Sequence, residues 1–212
     1  NKGMELRTSV NILLDPKRDR YITANFSIAH NKNKLKKISN ALKAQNDAQD
    51  KDIMDGKTNK PRTRFIEGQS MNAIWAVRSL GIDPATGNEL YLTKDGKTTT
   101  EWRTEDQVVC GDGMPKYSGS FGLNMDYRGI FCNVSFYYQF GGQTYNQTLV
   151  DRVENAYIAL NVDKRIYDSV WRQPGDKVNF AYSPYKTTKP SSRFVQDLDE
   201  LRLSTLNIGY DF

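Results

Sequence analysis

The sequence predicts an all-β chain: a segment of an antiparallel up-and-down transmembrane β-barrel, with about five long strands and long extracellular loops that carry short helices and a hairpin. Three observations predict it. Apolar and polar residues alternate with period two over several long stretches, the mark of strands with two unlike faces. Each stretch runs roughly 10 residues, the length a tilted strand needs to cross a bilayer. The connections alternate between short and very long, as membrane barrels require.

The strands are expected at about 4–14, 21–30, 116–127, 130–141 and 201–212, with loops at about 31–115 and 142–196. In the first, Met4, Leu6, Val10, Ile12 and Leu14 share the even positions with apolar character, against Glu5, Arg7, Ser9 and Asn11. In the second, Ile22, Ala24, Phe26 and Ile28 alternate with Thr23, Asn25 and Ser27. The polar run 15–20 between them predicts a tight hairpin. Tyr117, Phe121, Leu123, Met125 and Tyr127 form the apolar face of the third strand, and Arg128-Gly129 supplies its turn. Ile130, Cys132, Val134, Phe136, Tyr138 and Phe140 form that of the fourth, whose Tyr137, Tyr138 and Phe140 are expected in an interfacial aromatic girdle. In the last strand Leu206, Ile208, Tyr210 and Phe212 are even whereas Leu201 and Leu203 are odd, which predicts a bulge or an exit from the sheet at Ser204-Thr205.

Within the loops, Ser39 to Gln49 reads as a helix capped by Ser39. Leu90–Thr93 and Thr98–Trp102 read as a hairpin around Asp95-Gly96, and Asp83-Pro84-Ala85-Thr86-Gly87 as a turn. Thr148–Ala156 and Lys164–Trp171 read as short helices, the second stopped by Pro174-Gly175. Alternation says only that one face is dry, so a soluble β-rich carbohydrate-binding module with its apolar faces turned inward carries the same signature. The long connections favour the membrane barrel, because unstructured stretches of that length are rare in compact domains.

Composition excludes other classes. Aromatics at 11% rule out a disordered tail. The 30 Lys and Arg against 25 Asp and Glu are scattered, and the Lys32, Lys34, Lys36 and Lys37 cluster is followed by Asp47, Asp50, Asp52 and Asp55, so no nucleic-acid footprint emerges. Two cysteines and one histidine offer no metal-ligand spacing, and no cofactor motif is present. Cys110 and Cys132 are expected at opposite ends of strands and therefore not bridged. His30 is read as structural or solvated. Asp151, Glu154, Asp163 and Asp168 sit on short loop helices with nothing to align them across a cleft, so no catalytic residue is assigned and no enzyme is expected. Ligand contact falls to the loop aromatics Trp75, Tyr91, Trp102, Trp171, Tyr182 and Tyr185, whose rings can stack on sugars. Their competing and commoner role is to anchor loop minicores.

An ordered series of motifs carries a family resemblance over nearly the whole chain. His30-Asn31-Lys32-Asn33-Lys34, Gly81-Ile82-Asp83-Pro84-Ala85-Thr86-Gly87, Val109-Cys110-Gly111-Asp112 and Phe140-Gly141-Gly142-Gln143-Thr144-Tyr145-Asn146 come first. Val150-Asp151-Arg152-Val153-Glu154-Asn155, Trp171-Arg172-Gln173-Pro174-Gly175-Asp176 and Ser192-Arg193-Phe194-Val195-Gln196-Asp197 follow, then Leu201-Arg202-Leu203 and Ile208-Gly209-Tyr210-Asp211-Phe212. Together they resemble the SusC/RagA family of TonB-dependent outer-membrane transporters. The resemblance implies a location in the outer membrane of a Gram-negative, Bacteroidetes-type bacterium. It also implies a large plugged barrel that takes up oligosaccharides or peptides, energised by the TonB complex and capped by a SusD-like surface lipoprotein. Such barrels have about 22 strands around a plugged lumen, so the chain is expected to be the C-terminal part of one, with the plug domain and the TonB-interacting region absent. Cys110 departs from the family pattern after the paired valines.

Overall fold

The computed structural model describes residues 1–18, 20–157, 159, 161–181 and 187–211. Its elements run β1 (Lys2–Asp15), β2 (Arg20–Lys32), α1 (Asn40–Met54), β3 (Ala73–Ile82), β4 (Glu89–Leu92), β5 (Thr98–Thr99), β6 (Gln107–Asp112), β7 (Tyr117–Tyr127), β8 (Ile130–Tyr145), α2 (Gln147–Leu149), α3 (Arg165–Asp168) and β9 (Val195–Tyr210). The fold is mostly antiparallel β, in two open sheets. Among the described residues no helix is long and apolar enough to cross a membrane, a finding that leaves strands untouched. The chain divides into two compact units: Asn1–Asn33, Met114–Gln143 and Asp197–Phe212 form the first, Lys34–Gly113 and Thr144–Gln196 the second.

The first unit is a five-stranded sheet of order β1-β2-β7-β8-β9. Lys2 stands opposite Lys32 and Leu6 opposite Ile28 in the first pair; Phe26 faces Phe121 in the second; Phe121 faces Phe136 in the third. Directly opposed residues share a face, so the register stacks one apolar row across four strands: Leu6, Ile28, Phe26, Phe121, Leu123, Phe136 and Val134 all lie on it. Arg128 and Gly129 both take positive φ, 54° and 81°, the pair of left-handed residues that a two-residue hairpin turn demands. At the two ends of β9, Asn146 N–H donates to the Phe194 carbonyl (2.8 Å) and Asp211 N–H to the Gly129 carbonyl (2.7 Å), which runs β9 antiparallel to β8.

Two irregularities redirect side chains. The register of β1 shifts between Asn11 and Leu13, so Leu13 opposes Ile22 on the apolar face while Leu14 opposes Tyr21 on the polar one. The simple even-position pattern predicted for Met4–Leu14 therefore breaks at a bulge, which adds one residue and flips parity beyond it. In β9 the strand is continuous, yet Arg202 stacks over Tyr137 and a Cβ on Gly209 would strike the Phe131 ring. Tyr137 and Phe131 share the polar face of β8, so Arg202 and Gly209 are on that face too. Their odd separation requires a parity flip between Arg202 and Gly209, an interval that includes Ser204-Thr205. Tyr137 thus lies on the face opposite to Tyr138 and Phe140, which corrects the expected three-residue girdle.

The second unit replaces the expected loop over 31–115 with a four-stranded sheet of order β5-β4-β3-β6. The β4–β5 hairpin was legible; β3 and β6 were not. Ala73, Trp75, Ala76 and Val77 of β3 are all buried, so its first half is covered on both faces and shows no alternation. In β6 the pairing with β3 shifts between Ile74 and Trp75, which breaks the period of an already short strand. The helix predicted at 39–49 runs on to Met54, with Ser39 Oγ accepting from Leu42 N–H (3.3 Å) as its cap. Its C-terminal carbonyls at Ile53 and Met54 receive Lys189 Nζ, a cation at the negative end of the helix. The helix predicted at 148–156 is the short α2 followed by a π turn over Val150–Glu154, closed by Asn155 N–H to the Val150 carbonyl (2.8 Å). That turn aims Val150, Val153 and Glu154 inward together. The helix predicted at 164–171 is confined to Arg165–Asp168, because Val170 leaves it to bridge Phe180. Leu149, Val150, Val153, Val170, Phe180 and Phe194 close the core there.

Candidate functional site

Two features could carry function: the apolar face of the five-stranded sheet and the buried polar centre of the second unit. On the sheet, Met4, Leu6, Val10, Leu203, Leu206 and Ile208 are each about half exposed or more, so the apolar side chains of the edge strands are uncovered in this chain. The centre of the face is an aromatic cluster. Phe121 stacks on Phe136 at 5.1 Å, and Tyr138 lies between Phe26, Phe121 and Phe140 at 6.3, 6.2 and 5.5 Å. Gly119 makes room for Tyr138, whose hydroxyl crosses over it to donate to the Ser27 carbonyl (2.9 Å); a Cβ there would come within 2.8 Å of that hydroxyl.

Aromatic residues with polar partners close both ends of this face. At the short-turn end Tyr127 takes Arg20 at 5.0 Å and Arg128 at 5.6 Å over its ring. At the other end Tyr117 packs on His30 at 5.1 Å, and His30 Nδ1 lies 2.6 Å from the Lys116 carbonyl. The opposite face is hydrophilic and internally paired. Ser27 Oγ and Ser120 Oγ are 2.9 Å apart, Thr23 donates to Asn11 (3.0 Å) and Asn133 to Asn124 (2.6 Å).

The second unit is organised by one guanidinium. Arg193 donates to Glu154 through Nη1 (2.5 Å) and Nη2 (2.8 Å), and to Glu89 through Nη2 (2.8 Å) and Nε (3.2 Å). The three side chains are nearly shut from water, at 10% exposure for Arg193, 6% for Glu89 and 2% for Glu154. Thr188 Oγ1 and Ala181 N–H complete the shell of Glu154, and the Tyr91 hydroxyl donates to Glu89 (3.2 Å). Burial, reinforced by the Glu89 charge, pushes the Tyr91 hydroxyl far above its usual range, so it serves as a neutral donor. Burial works against the Arg193 charge, but its bonds to Glu154 and Glu89 outweigh that and hold the cation above its ordinary value.

A second lock joins two of the quoted motifs. Asp83 accepts from Ala85 N–H (3.0 Å) and Thr86 Oγ1 (2.6 Å); the Thr86 hydroxyl, then the Ala85 amide, holds its carboxyl below the usual carboxylate range. The Pro84 carbonyl exposed by this turn accepts from Trp171 Nε1 (3.0 Å) and Gly175 N–H (2.8 Å). Gly87, at φ 73°, lies directly under the Trp171 indole, where a Cβ would sit 2.5 Å from the ring. Asp176 ties the far side of that motif to the Arg172 and Gln173 amides.

The aromatics nominated from sequence divide by burial. Trp75 and Tyr91 are buried, each at 7% exposure. Trp102 and Trp171 are half-buried, their indole N–H groups given to the carbonyls of Pro190 (2.9 Å) and Pro84 (3.0 Å). Tyr182 and Tyr185 lie outside the described residues. The structure does not bring the described four into one cleft-lining cluster: Trp75 and Tyr91 are buried on β3 and β4, and Trp102 and Trp171 tie separate connections to the Pro190 and Pro84 carbonyls.

The acids nominated for scrutiny are likewise dispersed. Glu154 is neutralised by Arg193; Asp151 accepts from Asn59 (2.9 Å) and Gln147 (2.8 Å); Asp163 pairs with Arg165 at 2.6 Å. Cys110 and Cys132 are both free thiols, and burial pushes that of Cys110 up. Sequence reading missed Glu89 and the role of Arg193. The available signal was an acid two positions from Tyr91 on a short strand, hence on the same face.

With this geometry described, solved structures offer a comparison. The chain is similar to the RagAB peptide importer in its 'open-open' state, at a TM-score of 0.71 and 18% identity over 98% of this chain and 22% of that one. The 'closed-closed' state of the same importer gives 0.71 and a further RagAB peptide transporter structure 0.68, at the same identity and coverage. The fold is similar to that of part of the RagAB structures. At this identity the likeness to RagAB is one of fold, and the chain spans about a fifth of the RagAB chain it matches. No protein-family model matches the chain, and no curated protein matches it.

Proposed function

We propose that the chain is a wall segment, with its large loops, of a TonB-dependent outer-membrane nutrient importer of the SusC/RagA type. The observation that carries this reading is the one-sided apolar face bounded at both ends by aromatic residues. From Tyr127 to Tyr117 a strand rises about 33 Å at about 3.3 Å per residue, which projects to about 25 Å at a tilt of about 40°, the height of the apolar band of a membrane barrel. The opposite face, with its Ser, Thr and Asn pairs, suits a hydrated lumen. In this reading β1 and β9 pair with further strands of the same barrel, since open edges are not tolerated in lipid. The long connections lie on the outer side, as long loops of such barrels do.

The likeness to a peptide importer favours peptides over oligosaccharides as cargo. A SusD-like lipoprotein covers the mouth, and the TonB complex acts through a plug domain outside this stretch. Ligand contact falls to Trp102 and Trp171, which are only half-buried, ahead of the buried Trp75 and Tyr91. The exposed apolar face speaks against the soluble carbohydrate-binding module, whose apolar faces would be covered.

Uptake by the host cell tests the reading. Deleting the gene is expected to abolish import of labelled peptides and to remove a protein found in the outer-membrane fraction. Loss of oligosaccharide uptake alone would reassign the cargo. A protein that fractionates with the soluble cell contents, with uptake intact, would overturn the proposal.

A further inference from the structure

On the hydrophilic face of the five-stranded sheet, near its short-turn end, the register sets an acid between two aromatic residues. Tyr21 of β2 opposes Asp126 of β7, which in turn opposes Phe131 of β8. The next row toward the strand centres is Thr23, Asn124 and Asn133. These six residues line a cavity of about 240 Å³. Its walls are held in place. Phe131 lies over Gly209, where a Cβ would sit 2.1 Å from the ring; Thr23 donates to Asn11 (3.0 Å), and Asn133 Nδ2 to Asn124 Oδ1 (2.6 Å). Asp126 is exposed and is the cavity's one charged residue. It is in no ion pair among the described residues. The guanidiniums closest to it on these strands are turned away: Arg20 and Arg128 lie over Tyr127, on the apolar face.

We infer that Asp126, Tyr21 and Asn133 form a binding site for the guanidinium of an arginine in a transported peptide. The inference rests on the importer reading above and adds to it a preference among peptides. Charge complementarity carries it. A carboxylate accepts two guanidinium N–H groups side by side. Asn133, whose Nδ2 is engaged with Asn124, keeps its carbonyl oxygen for a third. The Tyr21 ring stands one strand away, within the reach of about 6 Å over which an aromatic face attracts a cation. Phe131 supplies an apolar wall for the methylene stem. A planar group with five donors uses this set of acceptors more fully than an ammonium does. The other arginines of this face are already answered: Arg7 pairs with Glu5 at 2.6 Å, and Arg202 lies 3.7 Å from Glu200.

The test uses the full-length protein in its host cells, with the photo-crosslinker p-benzoylphenylalanine in place of Thr23 to capture peptide inside the cavity. Two labelled peptides differ at one position, which holds arginine or its neutral isostere citrulline. Capture of the arginine peptide is expected to exceed that of the citrulline peptide by about fivefold, the combined effect of one exposed ion pair and one cation–π contact. Asp126→Asn is expected to equalise the two, and Asp126→Glu to keep the preference. Equal capture of both peptides with Asp126 intact, or uptake without capture of either, overturns the guanidinium site and leaves the importer reading standing. Uptake of neither peptide by cells carrying the unsubstituted protein overturns the importer reading itself. A crosslink within the protein that forms without peptide, and is lost in Asp126→Asn, assigns the carboxylate to a cation of the protein's own plug and overturns the cargo assignment.

Discussion

Phe136→Arg is expected to cost about 2–4 kcal/mol of insertion free energy, the penalty for a cation near the bilayer midplane on the lipid side of a barrel. Phe136 is paired with Phe121 and stacked on it at 5.1 Å, midway between the aromatic ends of the apolar face. Its neighbour Ser135 projects to the opposite, hydrophilic side, opposite Gly122. Ser135→Arg, identical in charge and one residue away, is expected to insert with little loss. The measurement is the yield of folded protein recovered from the membrane fraction, followed by urea unfolding in bilayers. A soluble β-module with its apolar face turned inward gives a different result, because Phe136→Arg then destroys a water-soluble fold and leaves no membrane-inserted species to compare.

The second large effect belongs to the loops. Arg193→Met is expected to destabilise the Lys34–Gly113 and Thr144–Gln196 unit by about 3–5 kcal/mol, because it strands two buried carboxylates without their cation. Protease sensitivity of the long connections in the purified protein reads this out. Adding Glu89→Gln and Glu154→Gln to Arg193→Met is expected to restore much of the resistance, since the charges are then removed together. If the single substitution left the connections as resistant as before, the guanidinium would not be what holds the unit closed.

What the sequence made legible follows from how each element meets its surroundings. The five long strands each have one apolar and one polar face, so period two survives in their residues; β1, β2 and β7 lie within two residues of the expected bounds, whereas β8 runs on to Tyr145 and β9 starts at Val195, ahead of the expected 201, where the mostly polar run 196–200 hides the strand. β3 was invisible for the converse reason: Ala73, Trp75, Ala76 and Val77 are all buried, and a strand covered on both faces does not alternate. The bulge near Ile12 escaped because Ile12, Leu13 and Leu14 are all apolar, so the parity flip leaves no trace in composition. The flip in β9 did leave one, in Leu203 against Leu206. Motifs that carry the family resemblance turn out to be joints of the second unit: Asp83 and Gly87 seat Trp171, and Glu154 meets Arg193. Their partners are far apart in sequence, so pairing Arg193 with Glu89 could not be read from spacing.

The central claim is that the two faces of one sheet meet lipid and water. Single cysteines at Val134, Ser135, Phe136 and Tyr137, in protein with Cys110→Ser and Cys132→Ser, would be exposed in intact membranes to a lipid-soluble or a water-soluble maleimide. The account predicts strict alternation: Ser135 and Tyr137 positions react with the water-soluble reagent, Val134 and Phe136 positions only with the lipid-soluble one. Reaction of all four positions with the water-soluble reagent, or of none with the lipid-soluble one, would contradict it.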